Sequence, residues 1–224
     1  MSQSSYTVVR ANRLTRKLKR QAAITAALST FALIVAGLSY WGDSWGAEKW
    51  MAASHDLVFK QHEWWRAWST LFVHADFRHL LSNSLLFFIL GSFVNGYFGW
   101  WAFPVIAFVV GGLTNIYVLA QMPGPILLIG VSGVVFWLGG FWLILYFLID
   151  RRKTLLQRAL RASGVGLALF MPAEAFDPSI SYTTHLVGFF LGIICGLGFY
   201  LVNRRKIERE EIRETIFLSL MTTN

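Results

Sequence analysis

Long uncharged apolar stretches alternate along this chain with short clusters of charged or turn-forming residues. The first apolar stretch covers about residues 22–42, and at 1.5 Å per helical residue it can cross about 30 Å of hydrocarbon. The next, residues 79–149, contains no Asp, Glu, Lys or Arg at all. This pattern is typical of helices that span a membrane.

Turn-rich segments at residues 95–99 and 121–125 divide the long stretch into three spans. A further span is centred on the uncharged residues 162–173 and must extend back past Arg161 to be long enough. The loop that follows it contains Glu174, Asp177 and Pro178. The other predicted spans are about 22–42, 79–95, 101–120, 131–149 and 181–202.

These elements predict an all-α polytopic membrane protein, a bundle of six transmembrane helices over residues 22–203. A basic segment, residues 1–21, precedes the bundle, and a tail, residues 204–224, follows it. We expect Arg204, Arg205 and Lys206 to end the sixth span. The mixed charge beyond them predicts a surface helix or a disordered end. Between the first two spans, the Trp-rich residues 43–78 predict a loop partly embedded at the membrane interface.

The composition agrees with a membrane domain, because 55% of the residues are hydrophobic and 14% are charged, against about 25% charged in soluble domains. Cys195 is the only cysteine, so an intrachain disulfide is excluded. We see no repeat or linker that would divide the chain.

The basic residues are distributed asymmetrically about the predicted spans. Six lie in the first 20 residues, five in residues 150–161 and five in the tail, and all three segments share one side of a six-span topology. The opposite side has four: Lys49, Lys60, Arg66 and Arg78. By the positive-inside rule both termini are cytoplasmic. The net charge of +8 therefore reflects topology, and we expect no nucleic-acid partner.

Four polar residues lie near the starts of spans that enter from the outer side: His79 and Asn83 on the second, Ser132 on the fourth and His185 on the sixth. They should lie at a similar depth. Polar side chains in hydrocarbon are costly and often mark function. Each has a structural alternative, because Ser132 could be a helix cap, His185 a core histidine, and His79 and Asn83 a brace for the outer loop.

Spacing on the helices supports a common site. His79 and Asn83 are four residues apart and share one helix face. On the sixth span, His185 begins a stripe that continues through Gly188, Gly192 and Gly196. Such stripes allow close helix approach, for which Gly133 and Gly140 on the fourth span offer small partners. Close approach would bring Ser132 towards His185.

The chemistry that fits these residues is serine catalysis. A neutral imidazole can take the proton of a serine hydroxyl near pH 7, so His185 is the candidate base and Ser132 the candidate nucleophile. His79, Asn83 and the backbone N–H of Ser132 are candidate donors to an oxyanion. Since the spans contain no acidic residue, we predict a Ser–His dyad, without a metal or cofactor.

The ordered motifs resemble those of the rhomboid intramembrane serine proteases over roughly residues 63–201. The resemblance is carried by Trp65-Arg66, His79-x-x-x-Asn83, Gly130-x-Ser132-Gly133 and His185-x-x-Gly188. It implies a six-helix bundle with a water-filled cavity open to the outside, a Ser132–His185 dyad, and cleavage of transmembrane segments of other proteins. By the same resemblance, His79 and Asn83 stabilise the oxyanion.

Two positions near the motifs depart from the common family pattern. Thr184 stands where an alanine is common, and Phe136 stands where a tyrosine often packs on the second histidine. Phe136 retains an aromatic ring for that stacking.

Other classes fit less well. A membrane metalloprotease would need a motif such as HExxH, and an aspartyl protease would need paired membrane aspartates; neither is present. The alternatives left open are a non-catalytic rhomboid-like protein that binds membrane clients, and a transporter. The partners expected are transmembrane substrates and the lipid bilayer, and family analogy favours a bacterial plasma membrane. The sequence leaves the oligomeric state open.

Overall fold

The computed structural model describes residues 4–170 and 181–218. Six long helices form the body of the structure: α1 Arg20–Trp41, α2 Phe77–Phe98, α3 Ala107–Leu119, α4 Ser132–Ile149, α5 Leu155–Phe170 and α6 Tyr182–Arg209. Four strands form two antiparallel pairs: β1 Ser4–Ala11 with β4 Ile212–Leu218, and β2 Ala53–Ser54 with β3 Leu127–Leu128. Short helical segments lie at Arg13–Thr15, Ser44–Gly46, Ala47–Trp50, Asp56–Lys60, Arg66–Ser69, Thr70–Phe72 and Trp101–Ile106.

Five helical segments of the described chain are long and apolar enough to cross a membrane. They are α1, α2, Trp101–Leu119 (which joins a π-helical stretch to α3), α4 and α6. The structure therefore confirms a polytopic helical membrane protein. Helix α5 has 16 described residues, fewer than the roughly 20 that span a bilayer, so the sixth span stays a prediction. The predicted loop with Glu174, Asp177 and Pro178 lies outside the described residues.

Helix α4 is the centre of the bundle and the most buried of these five spans. Trp137, Leu138 and Leu145 on it are completely buried, and α1, α2, α3 and α6 contribute residues to the same core. Large apolar side chains on the outer helices, such as Leu28 of α1 and Ile194 of α6, are instead exposed. In a membrane these surfaces face lipid, which removes the cost of exposing them to water.

Helices α4 and α6 approach so closely that their backbones touch. A Cβ atom at Gly188 would lie 2.3 Å from the carbonyl oxygen of Gly133, and one at Gly192 would lie 2.2 Å from that of Trp137. Neither position tolerates a side chain without separating the helices. The close approach predicted from the glycine stripe is confirmed.

The loop between α1 and α2 is held by the buried Arg66. Its guanidinium donates to the carbonyl oxygens of Ala52 (2.9 Å) and Lys49 (2.6 Å) and pairs with Glu63. The loop also contributes β2, whose partner β3 lies just before Gly130 in the chain. The loop and the start of α4 are therefore one connected structure.

The tail differs from the predicted surface helix or disordered end, and the basic segment before α1 contains a strand that the sequence did not predict. Helix α6 continues through Arg204, Arg205 and Lys206 to Arg209, and the residues after it form β4, paired with β1. Basic side chains can mark the edge of the hydrocarbon without ending a helix, since lysine and arginine are good helix formers. Long-range ion pairs, Arg13–Glu210 at 2.7 Å and Arg151–Glu208 at 3.1 Å, hold this end together.

Candidate functional site

Gly130 shapes the turn that leads into α4. Its φ of +108° lies in the region that favours glycine, and its N–H donates to the carbonyl of the buried Thr70 at 3.1 Å. A Cβ atom here would also lie 3.2 Å from Cε1 of His79. Both the backbone conformation and the nearby imidazole therefore favour glycine at this position.

Ser132 is the first residue of α4, where the helix has free N–H donors. The preceding residue, Val131, makes no side-chain capping hydrogen bond. The first N–H groups of a helix have no intrahelical acceptor, and the helix dipole makes this end partly positive. The position of a Cβ at Gly130 would be 3.5 Å from Nε2 of His79 and 4.0 Å from the backbone nitrogen of Ser132. The imidazole and this N–H therefore border the same small space.

His185 lies one turn from the start of α6, on the face that meets α4. Its ring stacks on Phe136, with centroids 4.0 Å apart and an interplanar angle of 10°. Phe136 is four residues after Ser132, so the two share a face of α4. The stacking expected of Phe136 without the tyrosine hydroxyl is thus present in the structure.

Thr184 packs the start of α6 against the start of α4. It is buried, and its methyl group contacts Gly133, the residue after Ser132. Its hydroxyl lies 2.7 Å from that of Ser181, whose side chain caps α6. Thr184 therefore fixes the residue next to His185 against the residue next to Ser132, a contact that the sequence did not indicate.

His79 and Asn83 lie on the first two turns of α2. Asp76 caps this helix by accepting a hydrogen bond from the backbone N–H of His79 at 2.8 Å. The His79 ring lies beside Gly130, and a positive charge on it would act on His185. Asn83 is buried one turn deeper on the same face. The structure thus places His79 with Ser132 and His185, with Asn83 below it.

His74 is a neighbour of the site whose contact the sequence did not predict. It is fully buried in the loop between α1 and α2, and its ring meets that of His79 edge-on, with centroids 5.1 Å apart. Burial, and next the positive charge that His79 can carry, lower the pKa of His74 to about 4. Its backbone carbonyl accepts a hydrogen bond from the Trp41 indole at 2.7 Å. Since His74 precedes His79 by five residues outside any helix, the spacing gave no signal.

Within residues 4–170 and 181–218, no group of three or more His, Cys, Asp or Glu side chains is arranged to hold a metal ion. The candidate site consists of a hydroxyl, two imidazoles, an amide and backbone donors.

Comparison with known proteins gives the same family as the motifs. Residues 61–202 match the model of the Rhomboid domain family. The chain is 30% identical over 134 residues to the rhomboid protease GlpG of Haemophilus influenzae. The aligned region covers 60% of this chain and 69% of that protein. It is 26% identical over 145 residues to YdcA of Bacillus subtilis, named as a candidate rhomboid protease, with 63% of this chain and 72% of that protein covered. The chain belongs to the rhomboid family.

Proposed function

We propose that this protein is an intramembrane serine endopeptidase that cleaves transmembrane segments of other membrane proteins. The observation that carries the proposal is the stacking of His185 on Phe136, one helical turn from Ser132. Family membership and the names of the relatives support the same activity.

In the proposed mechanism His185 takes the proton of the Ser132 hydroxyl, and the oxygen attacks the carbonyl carbon of the scissile peptide bond. The tetrahedral intermediate then collapses. The C–N bond breaks, and the imidazolium returns its proton to the leaving amine. Water, activated by the same imidazole, hydrolyses the acyl-enzyme and regenerates Ser132. Stacking on Phe136 restricts the ring of His185, so the base is oriented without a carboxylate as the third member of a triad.

The proposed oxyanion donors surround the start of α4. The backbone N–H of Ser132 and the imidazole of His79 border the space beside Gly130, and the Asn83 amide is a third donor from the same helix as His79. Preorganised donors of this kind are worth about 2.7–4 kcal/mol each when one is removed. Helix α4 adds the positive end of its dipole.

The position of the site in the bundle bears on the substrate. Helices α2, α4 and α6 all begin at the site's end of the bundle, whereas most basic residues belong to segments at the other end. By the positive-inside rule we propose that both termini face the cytoplasm of a bacterial cell and that the site lies just below the outer membrane surface. The substrates would be membrane-protein helices whose small residues allow local unwinding.

The test is cleavage of a transmembrane reporter by the full chain in proteoliposomes. Ser132→Ala and His185→Ala are expected to lower cleavage at least about 10³-fold, as for catalytic dyads and triads in general. Ser39→Ala, on α1, which carries none of the proposed site residues, and His62→Ala, in the loop between α1 and α2, are the matched controls and should retain activity. Cleavage by either dyad variant would refute the assignment. A folded wild-type protein that binds reporter helices without cleaving them would favour a client-binding protein instead.

A further inference from the structure

A cavity lies at the opposite end of the bundle from Ser132. It has a volume of about 640 Å³, within the range of roughly 300–1,000 Å³ typical of ligand pockets. Its walls come from the segment before α1 and the first turns of that helix, from the end of α2, and from the end of α6. None of the residues of the proposed active site lines it.

The cavity lining carries an excess of positive charge: Arg13, Arg16, Lys17, Lys19 and Lys206, with Glu210 as the single carboxylate. Hydrogen bonds from Arg13 are the main cause of the lowered pKa of Glu210, so this carboxylate stays ionised. Arg13 binds it through two hydrogen bonds, at 2.7 and 2.9 Å, and Arg16 approaches to 3.6 Å. Glu210 is therefore already engaged by arginine.

The three lysines have no carboxylate within ion-pair distance, and Lys206 acts on Glu210 only at longer range. Among the residues that the structure describes, no ion pair involves Lys17, Lys19 or Lys206. They come from two separate parts of the chain and line one cavity. Like charges held together in this way repel one another, and a bound anion would relieve the repulsion.

The start of α1 adds backbone donors to the same cavity. Lys19 is its N-cap residue and makes no side-chain capping hydrogen bond, and the first turn has no acidic residue. Ala22 donates its N–H to the carbonyl oxygen of Lys19 at 2.9 Å, and the N–H groups before it have neither a side-chain cap nor an acidic residue in the same turn. A helix N-terminus in that state attracts phosphate-like anions.

Apolar surface continues from the cavity along the lipid-facing side of α1. Gln21, at the rim, shares its helix face with Ile24 and Leu28, and these are 46% and 64% exposed. Across the cavity Trp100 is 55% exposed, as expected of an aromatic ring at the membrane interface. The cavity is thus cationic, and the apolar surface of α1 adjoins it, a combination that fits an amphiphile.

We propose that this cavity binds an anionic phospholipid, with the phosphate among Lys17, Lys19 and Lys206 and the acyl chains along α1. Basic pockets between transmembrane helices bind such headgroups in general. The site is separate from Ser132 and does not depend on the proposed proteolysis.

Native mass spectrometry of the full chain in neutral detergent tests the proposal, with phosphatidylglycerol and phosphatidylcholine supplied together. Wild-type protein is expected to retain phosphatidylglycerol in preference to phosphatidylcholine. The triple variant Lys17→Gln, Lys19→Gln, Lys206→Gln should bind phosphatidylglycerol about 100-fold more weakly, since each lysine near a headgroup contributes about a factor of five. The control Lys153→Gln, Arg161→Gln, Arg205→Gln removes the same charge from positions outside the cavity lining and should leave this affinity unchanged.

A second pair of variants tests the cavity without changing charge. Thr25 lines the cavity, so Thr25→Trp should fill it and abolish the preference. Ala32→Trp adds the same side chain to an exposed position of α1 outside the lining and should retain it. Circular dichroism confirms that each variant is folded.

Three results would overturn the proposal. The first is a wild-type protein without preference for phosphatidylglycerol. The second is an equal loss in both triple variants, which would indicate general attraction to a basic surface. The third is displacement of the lipid by excess inorganic phosphate together with phosphate binding in lipid-free detergent, which would identify the ligand as free phosphate.

Discussion

Replacing Gly188 by alanine perturbs the α4–α6 contact at the point nearest the proposed dyad. The added methyl group would lie 2.3 Å from the carbonyl oxygen of Gly133 and 3.1 Å from its carbonyl carbon, about 1 Å inside the ordinary contact limit of 3.4 Å. Because the opposing atoms are backbone, no side-chain rotation can relieve the overlap. The start of α6, which carries His185, must therefore move away from α4 by about 1 Å.

A displacement of 1 Å at reacting groups can lower the rate about 100-fold. We therefore expect Gly188→Ala to lower kcat/KM about 100-fold for a transmembrane reporter in proteoliposomes. Overpacking should also cost about 1–3 kcal/mol of stability, visible as a lower thermal denaturation temperature in detergent.

Gly198→Ala is the matched control on the same helix. A Cβ atom there has no neighbour within 4 Å, and both variants gain the same helix propensity of alanine over glycine. It should retain wild-type kcat/KM. Gly192→Ala creates a similar overlap, because its Cβ atom would lie 2.2 Å from the Trp137 carbonyl oxygen, but this position is one turn farther from His185. Compared with Gly188→Ala, this variant should lose less activity and a similar amount of stability. Equal activity of the Gly188 and Gly198 variants would refute the argument that close helix approach positions the dyad.

Substitutions at three further positions, Asn83, Phe136 and His74, test separate features of the proposed site and its surroundings. Asn83→Ala should lower kcat about 10- to a few hundred-fold if Asn83 is one of several oxyanion donors, and complete loss in a folded protein would give it a larger role. Phe136→Leu should lower kcat/KM about 2- to 10-fold through loss of the stacking on His185. Phe136→Tyr and the lipid-facing control Phe190→Leu should retain the wild-type kcat/KM. An unchanged kcat/KM in Phe136→Leu would show that stacking does not orient the base. Burial lowers the pKa of His74 from 6.5 to about 4, so as the pH falls the unfolded protein takes up a proton at this residue before the folded protein does. The free energy of unfolding should therefore be highest above pH 6.5 and decrease by about 3 kcal/mol as the pH drops to 4. Denaturation midpoints measured against pH should fall less steeply in His74→Gln, and parallel profiles would contradict this.

The helices could be predicted from the sequence because the membrane imposes a simple rule on it. Uncharged stretches of sufficient length predicted α1, α2, α4 and α6, and glycine spacing predicted which two helices would touch. The common depth of Ser132, His185 and His79 followed from topology alone, since each lies near the start of its helix.

The remaining features depend on contacts between residues distant in sequence. The pairing of β1 with β4 joins the two terminal segments, whose polar composition resembles that of surface segments in general. The contact of His74 with His79 and the seating of Thr184 against Gly133 depend on loop and helix positions that no periodicity encodes. The basic cavity likewise forms only when the segment before α1 folds onto the ends of α2 and α6.

The most direct test of the central claim is labelling of the purified protein with a fluorescent serine-directed phosphonate, followed by mass spectrometry of the modified peptide. We expect labelling of wild-type protein on Ser132, none in Ser132→Ala, and strong reduction in His185→Ala, because an unactivated hydroxyl reacts slowly. Modification of a different serine, or equal labelling of Ser132 with and without His185, would contradict the proposed dyad.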